Sequence, residues 1–125
     1  MARVFLDTNY FIDAIHRRPE KQILESLRDN VIYTSSLSFH IYCYVYKIKI
    51  PNKKVLAQKD KFQLVDFSEY ILEKALNGPT SDFEDNVQLH SAAEAECDLL
   101  LTNDKQLLNL KFFGKTKIAE RPASF

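Results

Sequence analysis

Glycine is scarce in this chain: Gly78 and Gly114 are the only two in 125 residues. Gly-rich phosphate loops need several glycines close together, where the backbone must approach the ligand. That class of nucleotide site is excluded. Cysteine is equally sparse. Cys43 and Cys97 match no metal-ligand spacing and each falls inside a helical pattern, so reduced thiols are expected rather than a zinc module or a disulfide framework. The longest apolar runs, around Val4 to Leu6 and Leu99 to Leu101, fall far short of the roughly 20 residues of a membrane-spanning helix. No signal-peptide pattern opens the chain, and a soluble, cytoplasmic protein with no membrane contact is expected. An excess of charge of one sign is also missing. Lys and Arg total 17, as do Asp and Glu, so long-range attraction to nucleic acid is not built into the net charge. Local clusters remain, Lys47, Lys49, Lys53, Lys54, Lys59 and Lys61 in one stretch and Lys105, Lys111, Lys115 and Lys117 in another. Each lysine taken singly reads better as a solvated side chain than as a phosphate contact.

What is present is an apolar content of 46%, enough for one globular domain spanning residues 1–125. Strand and helix patterns alternate along it, which argues for an α/β fold with a parallel sheet flanked by helices. Ala2-Arg3-Val4-Phe5-Leu6 reads as a strand followed by a helix from Thr8 or Asn9. Pro19 suits the first turn of a second helix carrying Ile23, Leu24 and Leu27. Val31-Ile32-Tyr33 is a strand, and Ser35 or Ser36 caps a helix whose inward stripe is Leu37, Ile41, Tyr44, Val45 and Ile48, ended by Pro51. A short helix is weakly indicated over residues 52–61, and 62–67 reads as a strand. Ser68 caps a helix with Ile71, Leu72, Ala75 and Leu76, stopped at Gly78-Pro79. A helix from about Asp82 to Glu96, a strand at Asp98 to Leu101 and a last strand at Lys117 to Ala119 follow. Each pair of neighbouring strands is expected to be joined through a helix, with right-handed crossovers.

The first and fourth strands end alike. Leu6 runs into Asp7-Thr8-Asn9 and Leu101 into Thr102-Asn103-Asp104, and ligand sites of open α/β sheets lie beyond the carboxyl ends of strands. A third acid, Asp85, heads the stripe Leu89, Ala92 and Ala93 that should pack on the sheet, an expensive place for a carboxylate without a cation or donors. Its neighbours have ordinary explanations: Ser81 with Glu84 fits a capping box, and Asp82 faces the positive end of the helix dipole. Asp7 and Asp104 have such explanations too, as a helix cap and a first-turn acid. If the three acids share one rim, their repulsion calls for a divalent cation, and oxygen-only ligands favour Mg²⁺ or Mn²⁺. A phosphoaspartate-forming hydrolase normally has a second Asp two positions after the nucleophile, where Asn9 stands. His16, His40 and His90 lack a nucleophile partner and read as surface or satisfied core residues, and the aromatic residues follow core periodicity.

These residues resemble the PIN domain family, which includes the VapC-like toxin ribonucleases of VapBC toxin–antitoxin pairs. Val4-Phe5-Leu6-Asp7-Thr8-Asn9, Thr34-Ser35-Ser36-Leu37-Ser38, Asp82-Phe83-Glu84-Asp85 and Leu101-Thr102-Asn103-Asp104 are similar to its four motifs in order, and residues 118–125 to its ending. The resemblance implies a three-layer α/β/α fold with a central parallel sheet of four to five strands. It also implies endoribonuclease activity with Mg²⁺ or Mn²⁺ held by Asp7, Asp85 and Asp104, a small antitoxin partner and a homodimer. In such an enzyme a metal-activated water hydrolyses the RNA phosphodiester, with Asn9, Thr8 and Thr102 orienting the water or the carboxylates. The family's fourth acid, a glutamate on the helix after the second strand, has no counterpart. Its place falls near Ile41, beside His40, and no acid occurs from Val31 to Asn52. Asp82 and Glu84 are the candidate substitute ligands. The departure keeps open a second reading, a degenerate, non-catalytic PIN fold that binds RNA or a protein partner.

Overall fold

The computed structural model describes residues 1–18 and 22–122. Pro19, and with it the expected first turn of the second helix, lies outside the described residues, as do residues 123–125 of the tail. The elements in chain order are β1 (Arg3–Leu6), α1 (Thr8–Ile12), which runs on as a π-helical turn over Asp13–Arg17, α2 (Gln22–Ser26), β2 (Val31–Ser35) and α3 (Ser36–Val45). Then come α4 (Lys53–Lys59), β3 (Gln63–Val65), α5 (Glu69–Leu76), α6 (Phe83–Glu94), β4 (Leu99–Leu101), α7 (Lys105–Leu110), β5 (Phe112–Phe113) and β6 (Thr116–Ala119).

The strands form one sheet in the order β3-β2-β1-β4-β6-β5. β1 lies between β2 and β4, with Val4 opposite Ile32 and Leu99 and with Leu6 opposite Leu101. Alternation sends Val4, Leu6, Leu99 and Leu101 to one face, where they meet Phe11, Leu27, Tyr42 and Phe62. Phe5 and Leu100 go to the other, against Ile71, Ala75, Val87, Leu89 and Leu107. Helices therefore cover both faces, the three-layer α/β/α arrangement, and a central strand buried on both sides must be apolar throughout.

Several expectations need correction. The central parallel sheet, β3-β2-β1-β4-β6, has five strands and agrees with the expectation, but β5 adds an unexpected antiparallel strand at its edge, joined to β6 through a two-residue turn at Gly114-Lys115. Gly114 there has φ +60°, a conformation glycine adopts without strain, and the β5–β6 connection contains no helix. The inward face of α3 is set by Ser38 and Tyr42, with Phe39, Cys43 and, just past the helix, Tyr46 and Ile48 against the core, whereas Tyr44 and Val45 are exposed. That helix ends at Val45, well before Pro51, and Lys47 at φ +50° follows. Finally, the Ser81–Glu84 capping box does not form. Asp82 is the cap of α6, its Oδ1 accepting the N–H of Asp85 at 3.0 Å. Cys97, expected in a helix, lies buried between α6 and β4.

Candidate active site

β1 is parallel to β2 and β4, so their carboxyl ends share one edge of the sheet, and the chain leaves that edge at Asp7, Ser35 and Thr102. Asp7 caps α1, with Oδ1 accepting the N–H of Tyr10 at 2.8 Å. Its other oxygen accepts the hydroxyl of Thr102. The side chain is 6% exposed. Burial pushes its pKa up to about 6; the hydrogen bonds from Thr102 and Tyr10 oppose that rise, and the negative charges of Asp104 and Glu84 add to it.

Asp104 in turn caps α7, with Oδ1 accepting the N–H of Gln106 at 2.8 Å, and its own N–H donates to Thr102 Oγ1 at 3.0 Å. Thr102 is fully buried and ties the two strand ends together. Asp85, half-buried in the first turn of α6, has its pKa raised to about 7, first by burial, then by the charges of Asp104 and Asp82, by a hydrogen bond between the protonated Asp85 carboxyl and Asp104, and by the charge of Asp7. Its Oδ2 is buried without a hydrogen-bond partner.

Asp7, Asp85 and Asp104 line one cavity of about 440 Å³ together with Thr8, Asn9 and Glu84, and with Asp13, Arg17, Gln88 and Asn103. The structure thus brings the three sequence-predicted carboxylates to a common opening. Thr8 is buried, its hydroxyl 2.8 Å from Ser38 Oγ and accepting from Gln88 Nε2 at 3.1 Å. Asn9 accepts from the Arg17 guanidinium through its main-chain oxygen at 3.0 Å and its side chain at 3.2 Å, and Arg17 pairs with Asp13 at 3.0 Å. Of the two candidate substitutes, exposed Glu84 lines the cavity, while Asp82 is occupied as a cap and does not. His40 and Ile41 do not line it either.

Sequence reasoning missed Gln88, Ser38 and the Asp13–Arg17 pair. Gln88 lies three residues after Asp85, hence on the same helix face, and that spacing was the available signal. The donors are all oxygens, which suits a hard divalent ion, and the bare Asp85 Oδ2 is what such an ion would satisfy. The arrangement is open, however: among the described residues no three His, Cys, Asp or Glu side chains are drawn together closely enough to hold an ion.

Comparison of the sequence with curated proteins finds no match. Among solved structures, the chain is similar to VapBC2 from Rickettsia felis bound to a DNA fragment from their promoter, with a TM-score of 0.63 and 16% identity, covering 94% of this chain and 97% of that one. A likeness at that identity speaks for the fold. The family model described as PIN domain matches residues 3–106, a span that holds all three carboxylates and the sheet edge that presents them, and the chain belongs to the PIN domain family.

Proposed function

We propose that the chain is a divalent-metal-dependent endoribonuclease, the toxin of a toxin–antitoxin pair, which hydrolyses RNA phosphodiester bonds. The observation that carries this reading is the convergence of Asp7, Asp85 and Asp104 on one cavity, two of them held far above the usual carboxylate range. Raised values of that kind, caused by burial and by like charges, mark functional sites more often than structural ones. In this reading the three carboxylates hold Mg²⁺ or Mn²⁺. When bound, the ion supplies charge neutralisation at the scissile phosphate and a water that loses its proton near neutral pH.

The chain's own residues do the rest. Thr102 fixes the Asp7 carboxylate and the start of α7, Thr8 braces the β1 end from behind, and Asn9 anchors Arg17 at the rim, where its guanidinium meets an incoming phosphate. The small antitoxin partner is carried over from the likeness to VapBC2. The same reading includes a homodimer, for which exposed Tyr44 and Val45 at the end of α3 offer apolar surface. Equilibrium sedimentation giving a one-chain mass at micromolar concentration removes that part.

The test of the enzyme is incubation of purified protein with labelled RNA and Mn²⁺, beside Asp7→Asn and Asp104→Asn variants. Cleavage by the parent alone supports it, and equal cleavage by all three assigns the activity to a contaminant and overturns the site. The open spacing of the acids favours the second reading, a PIN fold that binds RNA or a protein partner without cutting. RNA retained by the protein and left intact in the same assay is its signature.

A further inference from the structure

Gln88 is 2% exposed, yet it lines the acidic cavity beside Asp85, one helical turn away on α6. Its flanking residues, Val87 and Leu89, are spent on packing against the sheet. Its amide is held from behind: Nε2 donates to Thr8 Oγ1, which is itself paired with Ser38 Oγ of α3. That contact accounts for the nitrogen and leaves the oxygen unexplained. Oε1 is buried with no hydrogen-bond partner, and so is Oδ2 of Asp85. A bare buried acceptor is costly, and two of them on one helix face, at the wall of an acidic cavity, call for a cation or a donor to lie against both.

The geometry points to Gln88 Oε1 as a fourth oxygen donor to the divalent ion, beside the carboxylates of Asp7, Asp85 and Asp104. This rests on the metal-site reading above and adds a residue to it. An amide carbonyl is an ordinary ligand for hard cations. Being neutral, it contributes an oxygen without bringing another like charge to a place where three already repel. Anchored by Thr8, it also gives an open cluster one donor whose position does not depend on the ion.

The test is Mn²⁺ binding by calorimetry, together with the Mn²⁺-induced rise in melting temperature, on the parent and on Gln88→Met, Gln88→Asn, Gln88→Glu and Asp85→Asn. Gln88→Met and Gln88→Asn, which remove the oxygen or withdraw it by one methylene, bind Mn²⁺ about tenfold more weakly or worse. Gln88→Glu binds more tightly than the parent although its melting temperature in EDTA falls, because it loses the donor to Thr8. Parental affinity in Gln88→Met and Gln88→Asn, with binding lost in Asp85→Asn, overturns the assignment and leaves the site itself standing. Undiminished binding by Asp85→Asn removes the site reading instead. Should Gln88→Met not fold, equal affinities in the parent, Gln88→Asn and Gln88→Glu overturn the assignment.

Discussion

At Thr102 one fully buried hydroxyl donates to Asp7 and accepts from the N–H of Asp104, so two strand-end carboxylates share a single support. Thr102→Val keeps the shape and removes both contacts. A buried group left unpaired costs about 1–3 kcal/mol, and urea unfolding in EDTA should show a loss of that size. Asp7, already at about 6, should titrate higher still once the hydroxyl is gone, since that hydrogen bond lowers its value. Thr102→Ser should retain most of both properties. Asp7→Asn tests the opposite case. Asparagine keeps an oxygen for the N–H of Tyr10 and is a good helix cap, so the variant folds. Its melting temperature should no longer respond to Mn²⁺; a response equal to the parent's would place the ion elsewhere.

One element, α6, positions both Asp85 and Gln88, and its start depends on Asp82. Asp82→Ala should cost about 1 kcal/mol and weaken Mn²⁺ binding through the frayed first turn, whereas Ser81→Ala should stay within about 0.5 kcal/mol of the parent. The reverse order would restore the capping box the sequence suggested. Its failure has a plain cause: Ser, Asp and Glu all satisfy cap statistics, and only the backbone decides which side chain reaches the N–H groups. β1 and β4 were readable because Val4 to Leu6 and Leu99 to Leu101 are unbroken apolar runs between polar neighbours, and Asp7 and Asp104 were readable with them. The β5–β6 hairpin was not, since a two-residue strand has no period to detect. The face of α3 was misread because its most buried position, Ser38, is polar while Tyr44 and Val45 are apolar and exposed. Gln88 escaped notice because its partner, Thr8, is 80 residues away in sequence.

On the scale of the whole molecule, neutrality conceals local clusters of charge. Asp7, Asp13, Glu84, Asp85 and Asp104 gather around the cavity at the carboxyl edge of the strands. The exposed lysines between Lys47 and Lys61 lie on the segment that carries the chain from the end of α3 to the amino end of β3, at the opposite edge. The acidic edge makes stability depend on pH. Asp7 and Asp85 bind a proton more tightly in the folded chain, at about 6 and about 7, than in the unfolded one, near 3.8. Their contribution is therefore fully present below about pH 4 and is lost as pH rises through about 6 and 7. For buried Asp7 the displacement corresponds to about 3 kcal/mol; partly exposed Asp85 adds less, because solvent screens it. In EDTA the melting temperature should fall between about pH 5 and pH 8, and Asp7→Asn should flatten the fall. A divalent ion competes with those protons, so Mn²⁺ should stabilise the parent more at about pH 8 than at about pH 5. A metal-free melting temperature that stays level across that range, with Mn²⁺ equally effective at both ends, would mean that the carboxylates do not share an ion.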